Sequence, residues 1–236
     1  MKISCESIRK ICTESEIWNQ YLNLKNAVIL ELGCGKAELT RQIATTALGC
    51  RITAMEVDEI QHAKNLQVSD LFNINFMAGC AENIPAEGDI FDVVMMFKSL
   101  HHVPLASMDI AFNEIHRVLK SGGKAYISEP IFAGDFNDIL RLFHDEEKVR
   151  EAAFEAVKRS VNDGKFKLVD EVFFLAPMRF DNFSEFEQKI IGVSHSEHHL
   201  SNAVYQQVKQ DFMKKMRDDG AHFLMPMRVD ILAARK

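Results

Sequence analysis

The stretch VILELGCGKAELT, Val28 to Thr40, decides the fold. Val28, Ile29, Leu30 and Leu32, with Glu31 among them, read as a buried strand. Gly33-Cys34-Gly35 follows at once, and helix formers come next. A strand, a tight glycine turn and a helix start together make a common design for holding a nucleotide-like ligand. Gly33 and Gly35 carry no Cβ, so the backbone turns sharply there and a ligand can come close. The dinucleotide fingerprint G-x-G-x-x-G needs a third glycine at position 38, where Glu38 stands. A carboxylate at that place would repel a pyrophosphate seated on the helix N-terminus. The loop therefore suits a nucleoside without phosphates better than NAD.

Outward from this loop, strands and helices alternate. Ala27 to Glu31 is a strand and Glu38 to Ala47 a helix; Arg51 to Glu56 is a strand and Glu59 to about Leu66 a helix. Ile74 to Ala78 and Phe91 to Met96 are the next strands, the latter apolar on both faces as a central parallel strand should be. Met108 to Leu119 reads as a helix closed by Ser121-Gly122-Gly123, and Lys124 to Ser128 as a fifth strand. Such alternation predicts a parallel sheet with helices on both sides and right-handed crossovers. Ile3, Ile8, Ile11, Ile17, Trp18, Tyr21 and Leu22 recur at roughly helical spacing, predicting one or two helices ahead of the sheet. Later, residues 132 to 162 read as helical, Glu171 to Phe180 as a strand, Ser184 to Ile191 and Ser201 to Met216 as helices, and Met225 to Ala234 as a last strand.

The chain is thus read as one α/β domain: a Rossmann-like, doubly wound, mostly parallel seven-stranded sheet with a helical lid in its C-terminal half. Residues 1–25 form a helical segment, 26–131 the cofactor-binding core, 132–162 and 182–222 the substrate lid, and 166–181 and 223–235 the last strands. At 236 residues there is enough chain to bury a large core. A formal net charge of −6, with no run of five basic residues, argues against a general nucleic-acid or anionic-membrane surface. Five cysteines without a C-x-x-C pair make neither a disulfide framework nor a zinc knuckle, which predicts a cytoplasmic setting. The first residues carry scattered charges and no apolar core, so no signal peptide is expected. No apolar run is long enough to span a bilayer.

Glu56 lies at the end of the second strand, where a carboxylate can accept from both hydroxyls of a ribose, with Asp58 as the alternative. These pieces, with GCAENIP (Gly79 to Pro85), FDVVMMFKSLHHV (Phe91 to Val103) and EIHRVLKSGGKAYISEP (Glu114 to Pro130), resemble the class I S-adenosylmethionine-dependent methyltransferases. The resemblance is to the branch with ubiquinone- and menaquinone-biosynthesis enzymes and many small-molecule enzymes. It covers Val28 to about Pro130, and more loosely Glu171 onward. It implies that Glu31, Gly33, Cys34 and Gly35 line the methionine end of the cofactor and that Glu56 holds the ribose beside Val57. The turn at Cys80, Ala81 and Glu82 would edge the adenine, and the strand end near Phe97 would face the amino group and the reacting methyl. Where the family often has an acid, this chain has Cys80, and a thiol accepts weakly. Adenine recognition then falls to backbone near Ala81 and to apolar packing. Ala37 fills the third small position of the loop, which is tolerable unless the backbone there needs positive φ.

The expected reaction is an in-line methyl transfer from S-adenosylmethionine to a small molecule, leaving S-adenosylhomocysteine and needing no metal. Candidate bases are His101 and His102, which the sequence does not separate; imidazole titrates near neutral pH. A histidine pair of this kind also serves to anchor a loop. Lys98 is a candidate for steering an anionic substrate, against the plainer role of a snorkelling surface lysine. His195 is a candidate substrate contact. With His199 it has the i, i+4 spacing of a metal pair, but no matching Cys or carboxylate set accompanies it, so no metal is assigned. The rival readings are an NAD(P)-dependent oxidoreductase and a non-catalytic methyltransferase-like cofactor-binding module. A protein target is a further alternative.

Overall fold

The computed structural model describes residues 1–192 and 200–236. Five parallel strands come first: β1 (Val28–Leu32), β2 (Arg51–Glu56), β3 (Ile74–Ala78), β4 (Phe91–Phe97) and β5 (Leu119–Pro130). Two long strands, β6 (Phe166–Phe180) and β8 (Gly220–Ala234), close the sheet in the order β3-β2-β1-β4-β5-β8-β6. β8 runs antiparallel to both β5 and β6. A two-residue strand, β7 (Met216–Arg217), pairs with β8 off this path. The strand order reverses next to β1, and in open α/β sheets the crevice at such a point, beyond the carboxyl ends of the strands, takes the ligand.

The central strands are apolar on both sides because both sides are covered. Along β4, Val94 and Met96 join one apolar cluster while Val93 and Met95 join the other. This is the two-residue alternation of a strand buried on both faces. α4 (Met108–Val118) and α6 (Glu147–Asn162) cover the first face, the latter through Ala153, Ala156 and Val157. α1 (Glu14–Tyr21) and α2 (Glu38–Thr46) cover the second through Ile17, Trp18 and Ile43. α3 (Glu59–Asn65) links β2 to β3, and Asp58 caps it by accepting from the Ile60 and Gln61 N–H groups.

Two expectations need correction. The first segment holds one helix, within the one or two expected, but the residues ahead of it are extended rather than helical. Ahead of α1, Leu175 N–H donates to Lys10 C=O at 2.8 Å and Cys12 N–H to Leu175 C=O at 3.2 Å. β6 is the last strand of the sheet, and its open edge takes up the extended segment. Residues 132–162 are not one lid element either. α5 (Asp135–Leu140) and α6 are separate, and α6 belongs to the main core because its small apolar stripe lies against α4 and the sheet.

The other helices form a third cluster. β5 ends at Pro130 opposite Met227, yet β6 and β8 continue to pair as far as Phe180 and Ala221. Since β5 runs toward its carboxyl end there, the two arms project past that edge of the parallel sheet. On them pack α5, α7 (Phe183–Phe186) with the π-turn Glu187–Ile191, and α8 (Asn202–Met213). Phe136, Phe180, Phe183, Phe186, Phe212 and Phe223 fill this cluster, with edge-to-face contacts such as Phe180–Phe186 at 5.4 Å.

Candidate functional site

The turn after β1 is held by alternating left-handed residues: Gly33, Gly35 and Ala37 have φ of 72°, 53° and 57°. Each glycine has its own reason to be there. A Cβ on Gly33 would stand 2.7 Å from the Ser99 Cβ, whereas a Cβ on Gly35 would meet nothing within 4 Å. Gly33 thus lets the end of β1 touch the turn after β4, and Gly35 borders open space. Ala37 does need positive φ, so the condition set by the sequence is not met. A left-handed alanine costs about 1–2 kcal/mol, partly offset by burying its methyl group at about 0.8 kcal/mol. Gly33→Ala is expected to lower stability by roughly 2–4 kcal/mol, from overpacking and the φ penalty together. Gly35→Ala should cost only about 1–2 kcal/mol but should block any ligand lying on the turn. Urea denaturation and ligand titration of the two variants will separate the effects.

Two carboxylates flank this turn. Glu31, near the end of β1, is 2% exposed. Its Oε2 and the Thr40 hydroxyl are both buried and make no well-formed hydrogen bond among the described residues. Burial pushes the Glu31 carboxyl up to about 7, with the nearby Thr40 hydroxyl drawing it down and the negative Glu56 adding to the rise. Glu56, at the end of β2, accepts from Gly35 N–H at 2.6 Å and from the Val57 and Asp58 N–H groups at 2.9 Å each. The glycine turn is thereby clamped to the next strand. Asn65, which sequence reasoning missed, secures the other side: its side-chain N–H donates to Gly35 C=O at 2.8 Å. Cys34 is buried beside the two carboxylates, and desolvation and their charge raise its thiol pKa, which keeps it protonated and unreactive.

The turn proposed for adenine stands next to Glu56, since Gly79 N–H donates to Glu56 C=O at 3.1 Å. Cys80 bridges to Asn83, Ala81 is buried and Glu82 half-buried, while Val57 is exposed. The Phe97 ring points into the core, with Trp18 and Tyr126 at centroid distances of 5.6 Å each. Only its backbone remains available for the part suggested by the sequence. Lys98 is exposed in a left-handed conformation and donates its N–H to Ser128 C=O at 2.7 Å. Ser99 Oγ donates to Leu32 C=O at 2.8 Å, sealing the β1–β4 contact. Helix α1 adds Glu14, which accepts from Tyr126 O–H at 2.6 Å and whose carboxyl burial raises.

His101 and His102 follow β4 in a short 3₁₀ turn, the first buried and the second exposed. His101 Nδ1 lies on the buried carboxylate of Glu129, at the end of β5, which also accepts from Leu100 N–H at 2.9 Å. Its Nε2 faces Glu146 Oε1 at 3.5 Å. Burial opposes a charge on His101, but Glu129 and then Glu146 outweigh it and push the imidazole up to about 9. An imidazole so paired holds a proton rather than takes one. Glu146 is in turn gripped by Arg150 at 2.5 Å and His144 at 2.9 Å. Glu129, Glu146 and Arg150 carry no local sequence signal, because they meet His101 only once β5 and α6 are in place. His195 lies outside the described residues.

Residues 30–127 match the protein family described as "Methyltransferase domain". Sterol 4-C-methyltransferase strm-1 of Caenorhabditis elegans is 31% identical over 119 residues, covering 48% of this chain and 34% of that one. Ubiquinone biosynthesis O-methyltransferase of Coxiella burnetii is 29% identical over 111 residues, 46% of each. The chain thus spans less than half the length of these curated relatives. Among solved structures, BH2331 of Bacillus halodurans C-125 superposes with a TM-score of 0.65 at 14% identity, over 94% of this chain and 99% of that one. The fold is the Rossmann-like α/β fold of class I methyltransferases. The family match lies within the part of the chain that carries β1 to β5. No helix among the described residues is long and apolar enough to cross a membrane.

Proposed function

We propose that this protein is a methyltransferase that moves a methyl group from S-adenosylmethionine to a small-molecule acceptor. The observation that carries the reading is the buried Glu31 carboxylate, one oxygen without a well-formed hydrogen bond, beside the open space over Gly35. An unpaired buried acceptor costs about 1–3 kcal/mol or more, and the α-ammonium of an amino-acid tail would satisfy it. Glu56 would hold the ribose while keeping its grip on Gly35, and the Cys80–Glu82 turn would border the adenine. The bound cofactor supplies a methyl already activated by its sulfonium, so the thioether leaves without an acid. This chain's task is to align an acceptor and exclude water. The arms of β6 and β8 extend on that side of the sheet, where an acceptor would lie. His102 is the member of the histidine pair whose exposed ring could meet it. The relatives named for sterol and ubiquinone methylation support a small-molecule target.

Calorimetry with S-adenosylhomocysteine and with NADH on the full chain tests the reading. Uptake of one S-adenosylhomocysteine per chain, with no saturable NADH uptake, is expected. Binding of NADH alone, or of neither, would overturn it. If the adenosyl ligand binds but no methylated product forms from a panel of apolar hydroxyl and amine acceptors, the non-catalytic alternative is correct.

A further inference from the structure

The turn after β4 and the chain entering α6 bring two imidazoles and a carboxylate together. The donor atoms of His101, His102 and Glu146 all lie within 4.8 Å of one another. The 3.5 Å between His101 Nε2 and Glu146 Oε1 is long for an N–H···O bond. It is close to the edge of a tetrahedron, about 3.3 Å, whose metal–ligand bonds are about 2.0–2.1 Å. Behind these donors stand fixed partners. Glu129 takes the other ring nitrogen of His101, leaving Nε2 on the side of Glu146. Arg150 takes Glu146 Oε2, so Oε1 faces the histidine pair, where it also meets His144 Nε2 at 2.9 Å, a contact that an ion would have to share or displace. A carboxylate behind a ligating imidazole, and a donor behind a ligating carboxylate, are what orient first ligands in metal sites.

We propose that His101, His102 and Glu146 form a binding site for one divalent transition-metal ion of the zinc type. Two imidazoles with one carboxylate favour zinc-like ions over magnesium or calcium, which prefer oxygen-only shells. Three protein ligands leave a fourth position for water or a substrate atom, as in catalytic rather than structural zinc sites. His101 and Glu146 are buried and His102 is exposed, so the set has a closed back and an open front. No spacing rule joins the set, because Glu146 lies far along the chain from the histidine pair. The binding site stands on its own geometry. Only its use toward an acceptor, as a Lewis acid at the carboxyl ends of β4 and β5, rests on the methyltransferase reading.

The test is zinc titration of the chelator-treated full chain by calorimetry, with metal content checked by mass spectrometry. One tightly held zinc per chain is expected, with no comparable magnesium uptake. His102→Ala changes an exposed residue and should keep the far-UV dichroism while weakening zinc binding at least tenfold. Glu146→Gln should do the same. A chain with His195, His198 and His199 all replaced by alanine should bind as the parent does. Absence of stoichiometric zinc, or unchanged binding in both His102→Ala and Glu146→Gln, would overturn the proposal. Adenosyl-ligand binding, measured in parallel without zinc, reports on the methyltransferase reading separately.

Discussion

Glu31→Gln is expected to make the ligand-free protein more stable and the liganded protein less so. The native carboxyl sits at about 7 because burial penalises its charge. In the unfolded chain it returns to the ordinary range near about 4.3. Between these values the native state binds more protons than the unfolded state, so this group makes stability fall as pH rises. Below the window both states are protonated and the penalty vanishes; above it the full penalty, on the order of 3–4 kcal/mol, applies. Glutamine removes the charge but leaves an amide to be satisfied, at about 1–2 kcal/mol. A net gain of roughly 1–2 kcal/mol is therefore expected at pH 8 and little or none at pH 4. Adenosyl-ligand affinity should drop about 10–100-fold, the value of one charge-assisted hydrogen bond. Urea denaturation at the two pH values, with calorimetry at pH 8, measures both. A less stable variant at pH 8, or one that binds the ligand as tightly as the parent, would sink the assignment.

Glu56→Ala should cause the larger loss of ligand. Two bonds from ribose hydroxyls to a carboxylate are worth about 3–6 kcal/mol together, so affinity should fall by a hundredfold or more. The same carboxylate accepts from three backbone N–H groups, including that of Gly35, so its removal also frees the glycine turn. Some stability should be lost, about 1–3 kcal/mol. Glu56→Gln is the informative partner. Its amide nitrogen must face either Gly35 or the Val57–Asp58 pair, where donor would meet donor, so it should bind weakly although the size is kept. Calorimetry on samples with native far-UV dichroism decides. Intact adenosyl-ligand uptake in folded Glu56→Ala would remove the central support for the proposed function.

The core of the sheet was legible because its signals are local. Val28–Leu32 and Phe91–Phe97 are short apolar runs bounded by turn residues, and periodicity finds such runs. Glu56 could be proposed from its place at a strand end beside a glycine turn, whereas Glu31 was assigned through the family resemblance. Residues 3–12 misled because isoleucines at roughly helical spacing say nothing of the open edge of β6 that takes the segment. Residues 132–162 misled because an amphipathic pattern tells that a helix buries a face, not which surface it buries it against. Asn65, Glu129 and Glu146 were silent for a related reason. Each acts through a partner distant in sequence, Gly35 for the first and His101 for the others, and no spacing rule joins them.

The aromatic knot on the β6–β8 arms shares little with the two layers that hold the glycine turn. Its packing can be rearranged without disturbing the donor cradle. On the proposed function, recognition of the acceptor and recognition of the methyl donor would rest on separate packing clusters. The family match covers residues 30–127, and the arms lie outside it. Swapping the arms for those of a relative is therefore a route to retargeting the protein with its donor chemistry left in place.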